Sequence, residues 1–252
     1  MCEGELRVRR NLGAHVRERD NRAVSALRRA RDAPDGLAVE DQLRVVVGHP
    51  LELQHAQRAI RMVRASAAEY GIAPDHLGMW GFSAGGHLTA TAGTHFDAGN
   101  PSAADGIDQQ SSRPDFLILA YPVITMMDPY VHTGSRKYLL GDSPDPALEQ
   151  SMSAELQVTK DTPPTFLFST TDDGTVQIMN SVMFYSALVK AGVPAEMHIF
   201  QHGSHGAGLA VTNPALSVWP DLLIKWMRER GYAAPAVATE GTAATLGSVQ
   251  KH

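Results

Sequence analysis

The run Gly81-Phe82-Ser83-Ala84-Gly85-Gly86-His87 constrains this chain more than any other stretch. An apolar run of strand length, His76 to Trp80, precedes it, and Leu88 to Gly93 follows with helical character, ending on a glycine. A strand, a glycine-bounded turn and a helix in succession give a G-x-S-x-G pattern its chemical meaning. Small residues let the backbone reverse sharply, which pushes the Ser83 hydroxyl out at the end of the strand. The helix starts at the serine, so its unpaired N–H groups and positive dipole end face any negative charge that develops there. Ser83 is therefore the candidate nucleophile. A plain strand-to-helix turn, with glycines serving geometry alone, is the competing reading.

Hydrophobic periodicity supplies the frame around this turn. Leu53, Ala56, Ile60, Val63, Ala67 and Tyr70 recur at three- and four-residue intervals, which predicts an amphipathic helix with Pro50 in its first turn and Gly71 as its cap. Phe116–Tyr121 and Thr165–Thr170 read as strands buried on both faces, and Ala195–Phe200 as one more strand. A helix is expected over Ile178–Ala191, with Val182, Tyr185, Leu188 and Val189 on its apolar side. Another is expected over Val218–Arg230, with Trp219, Leu222, Leu223 and Trp226 facing inward. Residues 123–160, punctuated by glycine and proline, read as an excursion over the strand ends carrying short helices. Strands alternating with helices imply right-handed βαβ units, hence an α/β fold with a mostly parallel central sheet and helices on both faces. The domain spans residues 45–232. A non-periodic tail, residues 233–252, is expected to be disordered.

A serine hydroxyl is a poor nucleophile at neutral pH and needs an adjacent base, itself held by a third group. In parallel α/β sheets such groups gather at the carboxyl ends of the strands. Asp172 and Asp173 follow the strand at 165–170, and His202 and His205 follow the strand at 195–200. Either acid could cap a helix and either histidine could face solvent; as a set, in the chain order Ser, Asp, His, they point to nucleophilic catalysis.

Gly81 to Leu88, Asp173-Gly174-Thr175-Val176 and Gly203-Ser204-His205-Gly206 resemble the serine esterases of the α/β-hydrolase fold. The nearest branch is the acetyl esterase and acetylxylan esterase-like group, to which His49-Pro50-Leu51-Glu52-Leu53-Gln54, Tyr121-Pro122-Val123-Ile124 and Gly134-Ser135-Arg136 are also similar. The resemblance covers Val47 to Gly231. It implies Ser83 as nucleophile, His205 as general base and Asp173 as its orienting partner, since the family places its acid three residues before the valine, here Val176. His202 is then a bystander. It further implies hydrolysis of carboxylic esters with small acyl groups, including acetylated sugars, with no cofactor and no metal. Peptidase and thioesterase chemistry use the same fold.

The family also takes two backbone donors to hold the oxyanion: the N–H of Ala84, and one from a glycine-rich loop after an early strand. No such loop stands before Pro50, and the early strands that would carry it are expected to be incomplete. Residues 1–44 hold ten of the 17 arginines and no lysine. That composition predicts an atypical segment standing in place of the natural start of the domain. A catalytically impaired α/β-hydrolase scaffold is the rival reading from another class. A zinc site on His198, His202 and His205 is a chemical rival, but these residues span a strand and a loop rather than one helix face.

Bulk properties exclude other classes. A formal charge of −5 gives no support for nucleic-acid binding. No apolar run approaches the roughly 20 residues of a membrane-spanning helix. The N-terminus lacks the apolar core of a secretion signal, so a cytoplasmic location is expected. The single cysteine, Cys2, excludes an internal disulfide framework.

Overall fold

In the computed structural model, which describes residues 51–234, four apolar segments form one sheet: β1 Gly78–Phe82, β2 Phe116–Ala120, β3 Thr165–Thr170 and β4 Ala195–Phe200. All three pairings are parallel and the strands lie in chain order. The described residues belong to the unit Pro50–His252. The expectations placed on residues 1–44, on the early strands and on the tail beyond residue 234 lie outside them.

Right-handed crossovers between neighbouring parallel strands put every connecting helix on the same face. Two helices do this work: α3, Ala84–Thr94, follows β1, and α6, Met179–Lys190, follows β3. Leu119 and Leu167 meet Ala90 of α3 and Phe184 and Leu188 of α6 in one buried cluster. The alternate side chains Phe116, Ile118, Phe166 and Phe168 point to the other face, which α7, Trp219–Glu229, covers with Trp219, Leu223 and Trp226. The Phe168 and Trp219 rings stack at 4.5 Å. Both faces of β2 and β3 are thus covered, and every residue of these two strands is buried.

Three local expectations are corrected by packing. Gly93 does not end its helix, which runs on to Thr94. A Cβ on Gly93 would run into the Leu117 side chain of β2, so close helix–sheet contact explains the glycine. The buried residues of α6 are Asn180, Ser181, Phe184 and Leu188, whereas Val189 is exposed. The first helix breaks at Ser66 into α1, Leu51–Ala65, and α2, Ala67–Tyr70, which Gly71 closes in the left-handed region at φ 66°. Of its predicted apolar stripe only Leu53 and Ala67 are buried.

Arginines anchor α1 instead. Arg58 pairs with Asp105 and Asp108, and Arg61 with Asp97, along the polar loop between α3 and β2. Arg64, with its side chain only 11% exposed, donates to the carbonyls of Pro74, Ser111 and Arg113 and to Asp115. With four donated bonds and a shielded side chain, Arg64 is the member of the ladder whose loss would leave the most acceptors, three of them part-buried, without their partner. The more exposed Arg58 pairs contribute little, about 0–1 kcal/mol.

The segment between β2 and β3 carries α4 (Thr133–Leu140), α5 (Pro146–Ser151) and a 3₁₀ turn at Ala154–Leu156, as its punctuation predicts. Asn180 of α6 is fully buried and holds the start of this segment. Its Oδ1 accepts from the Ile124 and Thr125 N–H groups, and its Nδ2 donates to the Tyr130 carbonyl. On the α7 side Trp80 and Phe82 stay 43% and 36% exposed, and among the described residues β1 pairs on one side only. No helix among the described residues is long and apolar enough to cross a membrane.

Candidate active site

Ser83 stands between the last residue of β1 and the first of α3, with φ 53° and ψ −122°. That left-handed conformation is strained for a residue with a Cβ, at a cost of about 1–3 kcal/mol, and the surroundings hold it in place. The Ser83 N–H donates to the Ala120 carbonyl at the end of β2, and its own carbonyl accepts from Val123 and Gly86. The glycines do different work. A Cβ on Gly81 would collide with the Gly85 carbonyl, and one on Gly86 would come 2.6 Å from Pro122 Cβ. Gly85 would meet nothing within 4 Å, and it lines an open chamber. Turn sterics thus demand Gly81 and Gly86, whereas Gly85 keeps space clear. Ala84 opens α3, so its N–H lacks an intrahelical partner.

Residues far apart in the chain converge on the serine. His205, in the loop after β4, lies with Nε2 2.7 Å from Ser83 Oγ and with Nδ1 2.7 Å from Asp173 Oδ2. The Asp173 side chain is 2% exposed, and its other oxygen accepts from the Thr175 and Val176 N–H groups. A buried carboxylate with both oxygens engaged has one orientation available, and it fixes the imidazole in turn. Tyr121, at φ 39°, sets its ring edge-on to His205 at 5.0 Å while its hydroxyl accepts from Gly208 N–H. In the sequence Tyr121 closes a strand and opens the family-like run Tyr121-Pro122-Val123-Ile124, but its contact with the imidazole has no local signature.

The neighbouring acid and histidine form a separate pair. Asp172 Oδ2 lies 2.8 Å from His202 Nδ1, Asp172 Oδ1 accepts from Gly203 N–H, and both side chains are at least half exposed. The His202 contact, helped by the Gly203 N–H, holds the Asp172 carboxyl below the usual carboxylate range. His198 sits with Nε2 2.7 Å from Glu196 Oε1. The three histidines of the zinc reading therefore face three different carboxylates. Among the described residues no cluster of three or more His, Cys, Asp or Glu is arranged to hold a metal ion. The stretch before Pro50, where the family carries its glycine-rich loop and where this sequence shows none, lies outside the described residues.

Beside Ala84 and Gly85 opens a chamber of about 460 Å³. Leu53, Leu88, Met126, Leu139 and Met152 make its lining mostly apolar, and His87 and His132 also reach it. His87 is buried and lies with Nε2 2.8 Å from the Met152 carbonyl. Burial pushes its pKa down to about 4, against a partial upward pull from the Met152 contact. The folded form therefore takes up its proton later than the unfolded chain as pH falls. Above pH 6.5 the two states match; between 6.5 and 4 the unfolded chain alone is protonated, so stability drops. His87 is expected to remove about 2 kcal/mol between pH 7 and pH 5. Urea unfolding at the two pH values should show a smaller drop for His87→Gln than for the parent chain. An equal drop in both would exclude His87 as the source.

A parallel sheet with a strained serine between strand and helix, and acid and imidazole delivered from later strand ends, defines the α/β-hydrolase class of fold. Within that class the chain belongs to the BD-FAE family, whose model matches residues 37–188. Two curated relatives are an endo-1,4-beta-xylanase B of Butyrivibrio fibrisolvens, 38% identical over 64% of this chain, and an acetylxylan esterase of Xylanibacter ruminicola, 35% identical over 60%. The matches span only 25% and 30% of those relatives' own lengths. Among solved structures, an acetyl ester-xyloside bifunctional hydrolase from Caldicellulosiruptor lactoaceticus is 46% identical, with a TM-score of 0.71 over 72% of this chain and 66% of that one. The carboxylesterase Cest-2923 of Lactobacillus plantarum is 27% identical, with a TM-score of 0.59 over 73% and 69%. The resemblance read from the sequence is borne out in family and in fold.

Proposed function

We propose that the chain is a carboxylic ester hydrolase that cleaves small acyl groups, acetyl in particular, from xylan-like carbohydrate through a covalent acyl-enzyme on Ser83. The observation that carries this is the unbroken line Asp173 Oδ2–His205 Nδ1 and His205 Nε2–Ser83 Oγ, each step 2.7 Å. A Nδ1–H held by the carboxylate leaves Nε2 with its lone pair toward the serine, the state a general base needs. In this reading Ser83 Oγ attacks the ester carbonyl as its proton passes to His205 Nε2. The oxyanion forms at the head of α3, where the Ala84 N–H meets it. The imidazolium then protonates the leaving alcohol as the C–O bond breaks. Water, deprotonated by the same imidazole, attacks the acyl-enzyme and releases the acid and the free serine. The names of the relatives support acetylated xylan as the substrate class.

The test is direct. A fluorophosphonate should modify the protein on the peptide carrying Ser83, and acetate should be released from acetylated xylo-oligosaccharide. Ser83 left unlabelled, with no ester turned over, would favour the impaired scaffold.

A further inference from the structure

The chamber beside Ala84 and Gly85, the residues that follow Ser83, carries polar groups that the acyl-transfer steps do not use. Two imidazoles reach it from different elements, each with one nitrogen already committed. His87 Nε2 faces the Met152 carbonyl, a pure acceptor, so it holds the ring proton, and Nδ1 is left as an acceptor. His132 caps α4: its Nδ1 accepts the Ser135 backbone N–H at 3.2 Å and lies 2.8 Å from Ser135 Oγ, whose hydroxyl can donate to the same nitrogen. With Nδ1 as acceptor the ring proton sits on Nε2, which is left as a donor. Tyr138 of α4 also lines the chamber, yet it is 90% exposed, an aromatic ring standing uncovered at the edge of a cavity.

These features narrow the occupant. An acetyl group alone would leave most of the 460 Å³ empty. A plain alkyl chain would fill the apolar lining but strand the free nitrogens of both histidines without partners. A pyranose ring suits both kinds of surface: its C–H faces lie against Leu, Met and the tyrosine ring, and its hydroxyls both donate and accept, to the two histidines and to Glu52 and Thr91, which also line the chamber. Apolar walls with a few placed polar groups are the usual make-up of a site that fixes a ligand's orientation.

We propose that this chamber binds a sugar ring on the alcohol side of the ester, with His132 Nε2 donating to it, His87 Nδ1 accepting from it and Tyr138 providing its stacking face. The inference deepens the ester-hydrolase reading and rests on it for its chemistry, but sugar binding can be measured without turnover.

Calorimetric titration of the full chain carrying Ser83→Ala with unsubstituted xylotriose tests it. Saturable binding is expected, weakened about tenfold by adding Tyr138→Ala and about fivefold by adding His132→Asn. Asparagine retains a side-chain oxygen to cap α4 but lacks the Nε2–H, so its effect reads the lost donor rather than a lost helix. With Ser83 intact, KM for acetylated xylotriose should rise in both variants. The ratio of kcat/KM on that substrate to kcat/KM on ethyl acetate, whose alcohol is too small to fill the chamber, should fall about tenfold for Tyr138→Ala. Xylotriose binding absent from the Ser83→Ala protein, or unchanged by both substitutions, overturns the proposal. A strong preference for hexanoyl over acetyl esters that Tyr138→Ala abolishes would also overturn it, by making the chamber an acyl site. If no ester is hydrolysed but xylotriose binding still depends on Tyr138 and His132, the sugar site stands and the hydrolase reading falls.

Discussion

Replacing Ser83 with alanine is expected to lower kcat on 4-nitrophenyl acetate about 10⁵-fold, to the level left by binding and the oxyanion donor alone. Alanine removes the Oγ that lies 2.7 Å from His205 Nε2 but keeps the Cβ, and with it the backbone strain at φ 53°. Its unfolding free energy should therefore match that of the parent chain. Ser83→Gly separates the two roles of the position. It is equally inactive, but it relieves the left-handed strain and should gain about 1 kcal/mol in urea unfolding after glycine's own entropic cost. A Ser83→Ala protein that retains a tenth of the parent rate would remove Ser83 from the chemistry. A Ser83→Gly protein less stable than the parent would show that the elbow is unstrained.

The second large effect concerns the acid. Asp173→Asn should cost on the order of 10⁴ in kcat with little change in KM. The amide can still accept from the Thr175 and Val176 N–H groups, so the loop keeps its shape. Its NH₂ must then face His205 Nδ1, which drives the ring proton to Nε2. An Nε2 that carries a proton donates to Ser83 Oγ and cannot take the serine's proton. Asp172→Asn is the matched control: it sits one residue away, pairs with the exposed His202, and should leave kcat within about twofold. Equal losses in the two variants would mean that the adjacent acids act together. A loss confined to Asp172→Asn would transfer the role to the other pair.

Much of the frame was legible because it is written in local periodicity. Continuous apolar runs gave β2 and β3 nearly to the residue, and β4 matches its predicted bounds. Burial between two layers of helices leaves no polar alternation to confuse them. Helix faces were read less well. Val189 looked inward by spacing alone, yet α6 turns Asn180 and Ser181 to the core because buried polar partners await them: the Ile124 and Thr125 N–H groups for Asn180, and Ser169 for Ser181. Three arginines of α1, invisible to a hydrophobic count, hold that helix through carboxylates and carbonyls of a loop more than 30 residues away.

By itself the sequence determined where the strands and helices fall and that Ser83 sits in a strand–turn–helix elbow, since both depend on residues within a few positions of each other. It also assembled the short list Asp172, Asp173, His202 and His205 from their places after two strands. The family resemblance singled out Asp173 and His205 from that list, and only the tertiary structure shows the contacts themselves, Asp173 with His205 and Asp172 with His202. Each contact closes across about 30 residues, and the contact between His205 and Ser83 across 122. The elbow glycines divide in the same way: the pattern names Gly81 and Gly85, whereas packing against Pro122 is what requires Gly86. Neighbouring residues with the same chemistry are indistinguishable along a chain. Asp172 and Asp173 lie in the turn after β3 and the two histidines in the loop after β4, and the paths of those two connections send each acid to a different partner.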